Sequence, residues 1–353
     1  YDARDCRNPK LAASINIGVG LTLPQLPIIS QILQGIPGGL DSLDLGLPFA
    51  GHALCLSDDG RTAYATSSMS TNAAINLDDI TDPKLIQLFA PAGHDCGLSP
   101  DGNRLYLAQF GFIALGLGLP NGPAVGQNGL GIYDVSSLHN RTTPPAPFML
   151  GTAPPQIGFL PWTNVLIGEA PTAGSHTARW FRNGGRTYLY SSDEWPTAGV
   201  CPWAHGRIID ITDETKPVKV SDIKLEVNDP AKCLETEIDV ANYSAHYVGF
   251  DDVQNATTLF TTHYTGGLRV WDIRNPAEPK EIAYWHPVPN PNTPTVPLAE
   301  FFGSSAARWD AVPTYVRYRP ETGHIWIASY SAGFQILAFT PSAGPTAPKP
   351  TRR

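Results

Sequence analysis

The chain has 353 residues, 42% of them apolar and only 16% charged, with a net charge of -8. That acidic balance, without any run of Lys or Arg, argues against nucleic acid as a partner, and no apolar stretch is long enough to span a membrane. With 33 glycines and 34 prolines, the sequence suits many short strands joined by turns rather than long helices.

From the N-terminus, DCRNPKLAASINI reads as the end of a turn followed by a single strand, and an apolar stretch over residues 16–50 comes next. Five copies of one pattern follow. The first is GHALCLSDDGRTAYAT with His52, the second GHDCGLSPDGNRLYLAQ with His94, the third SHTARWFRNGGRTYLYSS with His176 and the fourth AHYVGFDDVQNATTLFTTHY with His246. A fifth, TYVRYRPETGHIWIAS, has Thr314 at the histidine place. Each copy opens with a strand, passes a polar turn and enters a second strand with an aromatic at a matched position: Tyr64, Tyr106, Tyr188, Phe260 and Trp326. The third strand is clearest in GLRVWDIRNPAEPKEIAYW, and Asp79, Asp134, Asp210 and Asp272 are assigned one place in it. An Asp-Pro or Asn-Pro turn then leads to a fourth strand, because Pro ends ladder pairing and Asp or Asn favours a turn.

Four antiparallel strands per copy, repeated around an axis, predict an all-β, five-bladed β-propeller of four-stranded blades. The last copy ends at GFQILAF without a fourth strand, so the N-terminal strand is expected to complete it and close the ring. Residues 1–340 then form one propeller domain with long loop insertions on one face, and 341–353 a Pro-rich tail. The repeat GLRVWDIRNPAEPKEIA and its weaker copies resemble the LVIVD-repeat β-propellers over most of the chain. That resemblance implies a propeller often found outside the cytoplasm and says nothing of activity.

The expected insertions are residues 16–50, 110–128, 152–175, 193–205, 228–245 and 286–312, all on the face where the histidine strands begin. Several are apolar (LTLPQLPIISQILQGIPGGL, FGFIALGLGLPNGPAVG, IGFLPWTNVLIG), which suits either a vestibule for a hydrophobic or aromatic small molecule or burial by packing and self-association. Tyr1 in place of Met suggests a processed chain, and sequons at Asn140, Asn242 and Asn255 are consistent with an extracytoplasmic (secreted or periplasmic) protein. Five cysteines leave at least one thiol outside intramolecular pairs. Cys201 and Cys233 flank one repeat and are a candidate disulfide, whereas Cys55 and Cys96 are offset by one residue and read as buried packing thiols, with a soft-metal role as the alternative.

Equivalent positions of a propeller converge on its axis, so His52, His94, His176 and His246 form a candidate metal site. Four imidazoles suit copper or iron, with zinc as a further choice, and the break at Thr314 leaves one side open for water, dioxygen or substrate. Histidines on the inner strands of a propeller are similar in arrangement to the iron site of carotenoid-cleaving dioxygenases. Asp95 is the candidate outer acceptor beside His94, Glu194 the candidate acid/base, and His263 a further ligand or proton donor. Asp193, His205, Glu235, Glu237 and Tyr264 share that face.

The sequence carries no G-x-S-x-G elbow, phosphate loop, H-E-x-x-H or dinucleotide fingerprint. The leading expectation is a metal-dependent oxidoreductase acting on a hydrophobic or aromatic small molecule. A non-catalytic propeller recognising a glycan or protein, and a metal-independent lyase or glycosidase using Glu194 and Glu237, are the alternatives.

Overall fold

The computed structural model describes residues 7–15, 52–67, 71–109, 128–142, 144, 146–150, 153–162, 174–194, 204–233, 243–264, 266–286, 313–329 and 333–338. They form a five-bladed β-propeller. Blade one holds β1 (Ala53–Leu56), β2 (Thr62–Thr66), β3 (Asn72–Asn76) and β4 (Lys84–Phe89), with β8 (Ala146–Leu150) added in parallel at its outer edge. Blade two consists of β5 (Asp95–Leu98), β6 (Arg104–Gln109), β7 (Gly129–Asp134) and β9 (Gln156–Pro161). Blade three contains β10 (Gly174–Asn183), β11 (Arg186–Glu194), β12 (Gly206–Asp210) and β13 (Val218–Ile223). Blade four contains β14 (Ala245–Phe250), β15 (Thr258–His263), β16 (Gly267–Asp272) and β17 (Lys280–Trp285). In blade five β18 (Pro313–Arg319), β19 (His324–Ser329) and β20 (Gly333–Ala338) are described. Helix is limited, among the described residues, to the short turns Ser136–His139, Glu226–Asn228 and Pro230–Cys233.

The blades adhere because both faces of each middle strand are apolar. Tyr64, Tyr106, Tyr190 and Phe260 are all at most 1% exposed. Each core lies between neighbouring blades: Tyr64 and Phe89 of blade one meet Leu105 and Leu107 of blade two. Tyr106 and Ile132 meet Leu189 and Ile209 of blade three, Phe181 and Tyr190 meet Leu259 and Trp271 of blade four, and Phe260 meets Tyr318 and Ile327 of blade five. The other side of blade one, around Ala63 and Ile75, receives Ile15 of the N-terminal segment. Over residues 7–15 that segment makes a one-residue bridge at Lys10 and no strand longer than that, so the expected closing strand is not seen there; its residues 5–6 and 16–17 lie outside the described residues.

Strand pairing corrects three of the sequence assignments. The residue three past each histidine place pairs with Tyr64, Tyr106, Phe260 and Trp326 in blades one, two, four and five, and with Tyr190 in blade three. Tyr190 is therefore the matched aromatic, not Tyr188. The β10–β11 hairpin runs on to Asn183 and Arg186, which displaces a count made from the turn by two residues. In the third strand Asn76, not Asp79, corresponds to Asp134, Asp210 and Asp272. Each of these four accepts the backbone N–H two residues ahead (2.8–3.0 Å) and so starts the turn. Asp79 belongs to a second such turn with Asp213 and Asn275. Lastly, residues 152–175 are not all loop, because β9 supplies the fourth strand of blade two. What remains of the expected insertions falls mainly on 16–50, 110–127, 163–173, 195–203, 234–242 and 287–312, outside the described residues, as does the 341–353 tail.

Candidate functional site: an imidazole column

Neighbouring inner strands contact one another in the order β1, β5, β10, β14, β18, which brings their first residues together. The histidines enter their strands under backbone control. The N–H of His52 donates to the Thr66 carbonyl, and that of His94 to the Ala108 carbonyl, both at 2.7 Å. In blades three, four and five the ladder is irregular at His176, at His246 and at Thr314. Such an irregularity releases a side chain from strict alternation between blade faces and re-aims it. Side chains of the preceding blade fix two of the histidine backbones: the Thr66 hydroxyl donates to the His94 carbonyl (2.9 Å) and the Ser192 hydroxyl to the His246 carbonyl (2.8 Å).

The result is a column of rings. His52 and His94 have centroids 4.1 Å apart, His94 and His176 4.3 Å, and His176 and His246 4.5 Å, with the interplanar angle falling from 64° to 46° to 28°. Tyr264 lies 4.6 Å beyond His246, and Tyr247 flanks both His246 (4.5 Å) and His176 (5.1 Å). His176 is fully buried, His94 and His246 are nearly so, and His52 is exposed at the end of the column. The Ser192 hydroxyl stands 3.5 Å from His176 Nδ1.

The Asp95 carboxylate, 1% exposed, accepts the Thr177 hydroxyl (2.7 Å) and pairs with Arg179 (2.8 Å) through one oxygen, so it joins blade two to blade three. Arg179 also donates to the Cys96 carbonyl and lies over the Tyr247 ring at 5.9 Å. His263, at the end of β15, is held within blade four. The Thr261 hydroxyl, which accepts the Trp271 indole N–H, reaches His263 Nε2 (2.9 Å), and Nδ1 faces the Tyr243 carbonyl (3.4 Å). Burial, aided by the charge of Arg269, lowers its pKa to about 3 and keeps the ring neutral. Both ring nitrogens thus face partners within blade four. Glu194 closes β11 opposite Gly174. Its neighbour Asp193 is fully buried, accepting the Trp162 indole N–H (2.5 Å) and the Arg207 guanidinium, which stacks on the Trp162 ring at 4.7 Å.

His205 lies 3.6 Å from Asp222. Partial burial works against ionisation of Asp222, yet hydrogen bonds from His205 and Lys219 and the charge of Lys224 hold its carboxyl well below the usual range. Glu235 and Glu237 lie outside the described residues.

Cys55 and Cys96 are not packing thiols but a disulfide, and it joins β1 to β5 beside His52 and His94. Among the described residues, Cys55, Asp95 and Cys96 are the one trio of ligating side chains within 4.8 Å of one another. The S–S bond and the Asp95–Arg179 pair leave it no thiolate to offer. The candidate partner Cys201 lies outside the described residues. The imidazoles supply the more suitable donors, all nitrogen and mutually adjacent, but no three of them place ring nitrogens within that distance. A metal held by three or four of them requires the rings to turn about their side-chain bonds.

No protein-family model matches the chain, and no curated protein sequence is similar to it. The propeller fold is therefore what stands of the LVIVD-repeat resemblance. Among solved structures, Kuenenia stuttgartiensis hydrazine synthase superposes at a TM-score of 0.46 and 12% identity over 79% of this chain; the match spans 61% of that chain's length. The β-propeller domain of Myceliophteria thermophila Cps50 (Swd1) superposes at 0.48 and 9% identity, over 83% of this chain and 67% of its own.

Proposed function

We propose that the imidazole column is a transition-metal site and that the protein is a metal-dependent oxidoreductase of an extracytoplasmic compartment. The column itself carries this reading: four imidazoles from four successive blades, each centroid within 4.5 Å of the next. An all-imidazole donor set suits copper or iron, and also zinc.

Once bound, copper or iron supplies electron-transfer and dioxygen chemistry. The chain's part is to hold the rings from a rigid circle of strands, exclude water from His94, His176 and His246, and wall the His246 end with Tyr247 and Tyr264. Thr314, the fifth place around the axis, leaves a side without an imidazole for a small molecule. A hydrophobic or aromatic substrate fits the apolar insertions read from the sequence, and the Cys55–Cys96 disulfide favours an oxidising compartment.

Titration of chelator-treated protein with Cu2+ or Co2+, followed by visible and paramagnetic spectra, tests the reading. Saturation at one equivalent with nitrogen ligation, lost in His94→Ala/His176→Ala, supports it, and oxygen-uptake assays on phenols then test the reaction class. A second reading, a non-catalytic binding propeller with structural histidines, is favoured by the spacing of the ring nitrogens. It predicts no saturable metal binding and marked instability of the same double variant.

A further inference from the structure

Along the same inner strands, one tyrosine ring removed from the histidine column, a cavity of about 720 Å³ opens among blades three, four and five and the β1–β2 turn. Its walls carry Arg179, Trp180, Phe250, Tyr315, Arg317 and Tyr318. The volume is that of a small-molecule site.

The charges around it are unequal in availability. Both oxygens of Asp251 are occupied by the backbone N–H groups of Thr257 and Thr258 and the Thr257 hydroxyl, while Asp252 accepts the Gln254 N–H. These acids shape a turn. Arg179 is shared with Asp95. Arg317, in contrast, is exposed and makes no ion pair within 4 Å among the described residues, although Asp58 shares the lining and the charge of Arg317 acts on Glu321. The Tyr318 hydroxyl, on a side chain stacked against Phe260, is buried without a hydrogen-bond partner among the described residues. Tyr315 offers an open face: it is 49% exposed and backed by Tyr247 at 5.0 Å.

An available guanidinium, an unsatisfied phenol and flat apolar walls are complementary to a planar anion. We infer that this mouth is a second small-molecule site, divided from the imidazole column by the Tyr247 ring, that takes a planar aromatic carboxylate. The carboxylate lies against Arg317, with Arg179 adding positive potential from behind, and the ring plane lies on Tyr315. A flexible or neutral ligand loses one half of that match.

The test is calorimetric titration of the intact, disulfide-bonded chain with three probes: 2-naphthoate, its neutral counterpart 2-naphthalenemethanol, and the non-planar cyclohexanecarboxylate. Naphthoate is expected to bind one to one, about tenfold or more tighter than either control, and to weaken as salt rises. Arg317→Met should lose most of that affinity, Arg317→Lys should keep part of it, and Tyr315→Leu should weaken it severalfold. Chelator treatment should leave naphthoate binding unchanged, which separates this site from the column. No saturable naphthoate binding, equal binding of the alcohol, indifference to Arg317→Met, or tighter binding of a neutral oligosaccharide such as cellotriose would each overturn the assignment.

Discussion

Arg179 pairs with Asp95 at 2.8 Å, one residue past His94 on β5 and three past His176 on β10. This ion pair and the Cys55–Cys96 bridge fasten three blades immediately beside the histidines. The spacing of the column is therefore set by contacts that do not involve the imidazoles, as a preorganised site requires.

Breaking that pair from one side should be costly, because Asp95 is buried. Arg179→Met is expected to destabilise the fold by about 3–5 kcal/mol, and the double variant with Asp95→Asn by clearly less. Urea unfolding of the two single variants and the double variant measures the coupling. Equal and additive losses would mean that the pair is incidental.

The disulfide closes a loop across a separation of 41 residues. Loop-closure entropy puts its contribution at about 4 kcal/mol, so Cys55→Ser/Cys96→Ser should lower the unfolding midpoint accordingly. Thiol titration of the denatured, unreduced protein should find two fewer thiols than after reduction.

Gly97 on β5 faces the β10 backbone so closely that an added Cβ would stand 2.3 Å from the Ala178 carbonyl oxygen. Backbone cannot rotate away as a side chain can, so Gly97→Ala should cost about 1–3 kcal/mol. It should also push blade three from blade two at the His94–His176 contact. Thermal unfolding reads the first effect and metal affinity the second.

Burial depresses the His263 pKa from 6.5 to about 3. Between those values the unfolded chain binds a proton that the folded chain does not. Its stabilising contribution is thus complete above about pH 6.5 and declines as pH falls toward 3, by at most about 1.4 kcal/mol per pH unit. In chelator-treated protein, stability against pH should fall less steeply over that window for His263→Gln than for the parent.

The propeller was legible because its repeat recurs in register: a histidine place, a polar turn, a buried aromatic and an Asx turn. Legibility ended where local geometry shifts the count. The long β10–β11 hairpin moved the matched aromatic to Tyr190, and two successive Asx turns made Asp79 imitate the strand-end position that Asn76 occupies. The histidine convergence was readable from spacing. The irregular pairing that re-aims His176 and His246 was not, since it leaves no residue signature. The Cys55–Cys96 bridge was missed because its partners differ by one residue in the repeat, yet adjacent inner strands brought their Cα atoms to 5.9 Å. Asp95, adjacent to His94 in sequence, points to the next blade because successive side chains of a strand diverge.

The central claim is that His52, His94, His176 and His246 together hold a metal, and elemental analysis of protein purified without an affinity tag tests it most directly. Near one equivalent of copper, iron or zinc is expected, lost in His94→Ala/His176→Ala while circular dichroism still reports a folded propeller. Metal-free protein that stays metal-free after reconstitution, or a metal content indifferent to the double substitution, would contradict it.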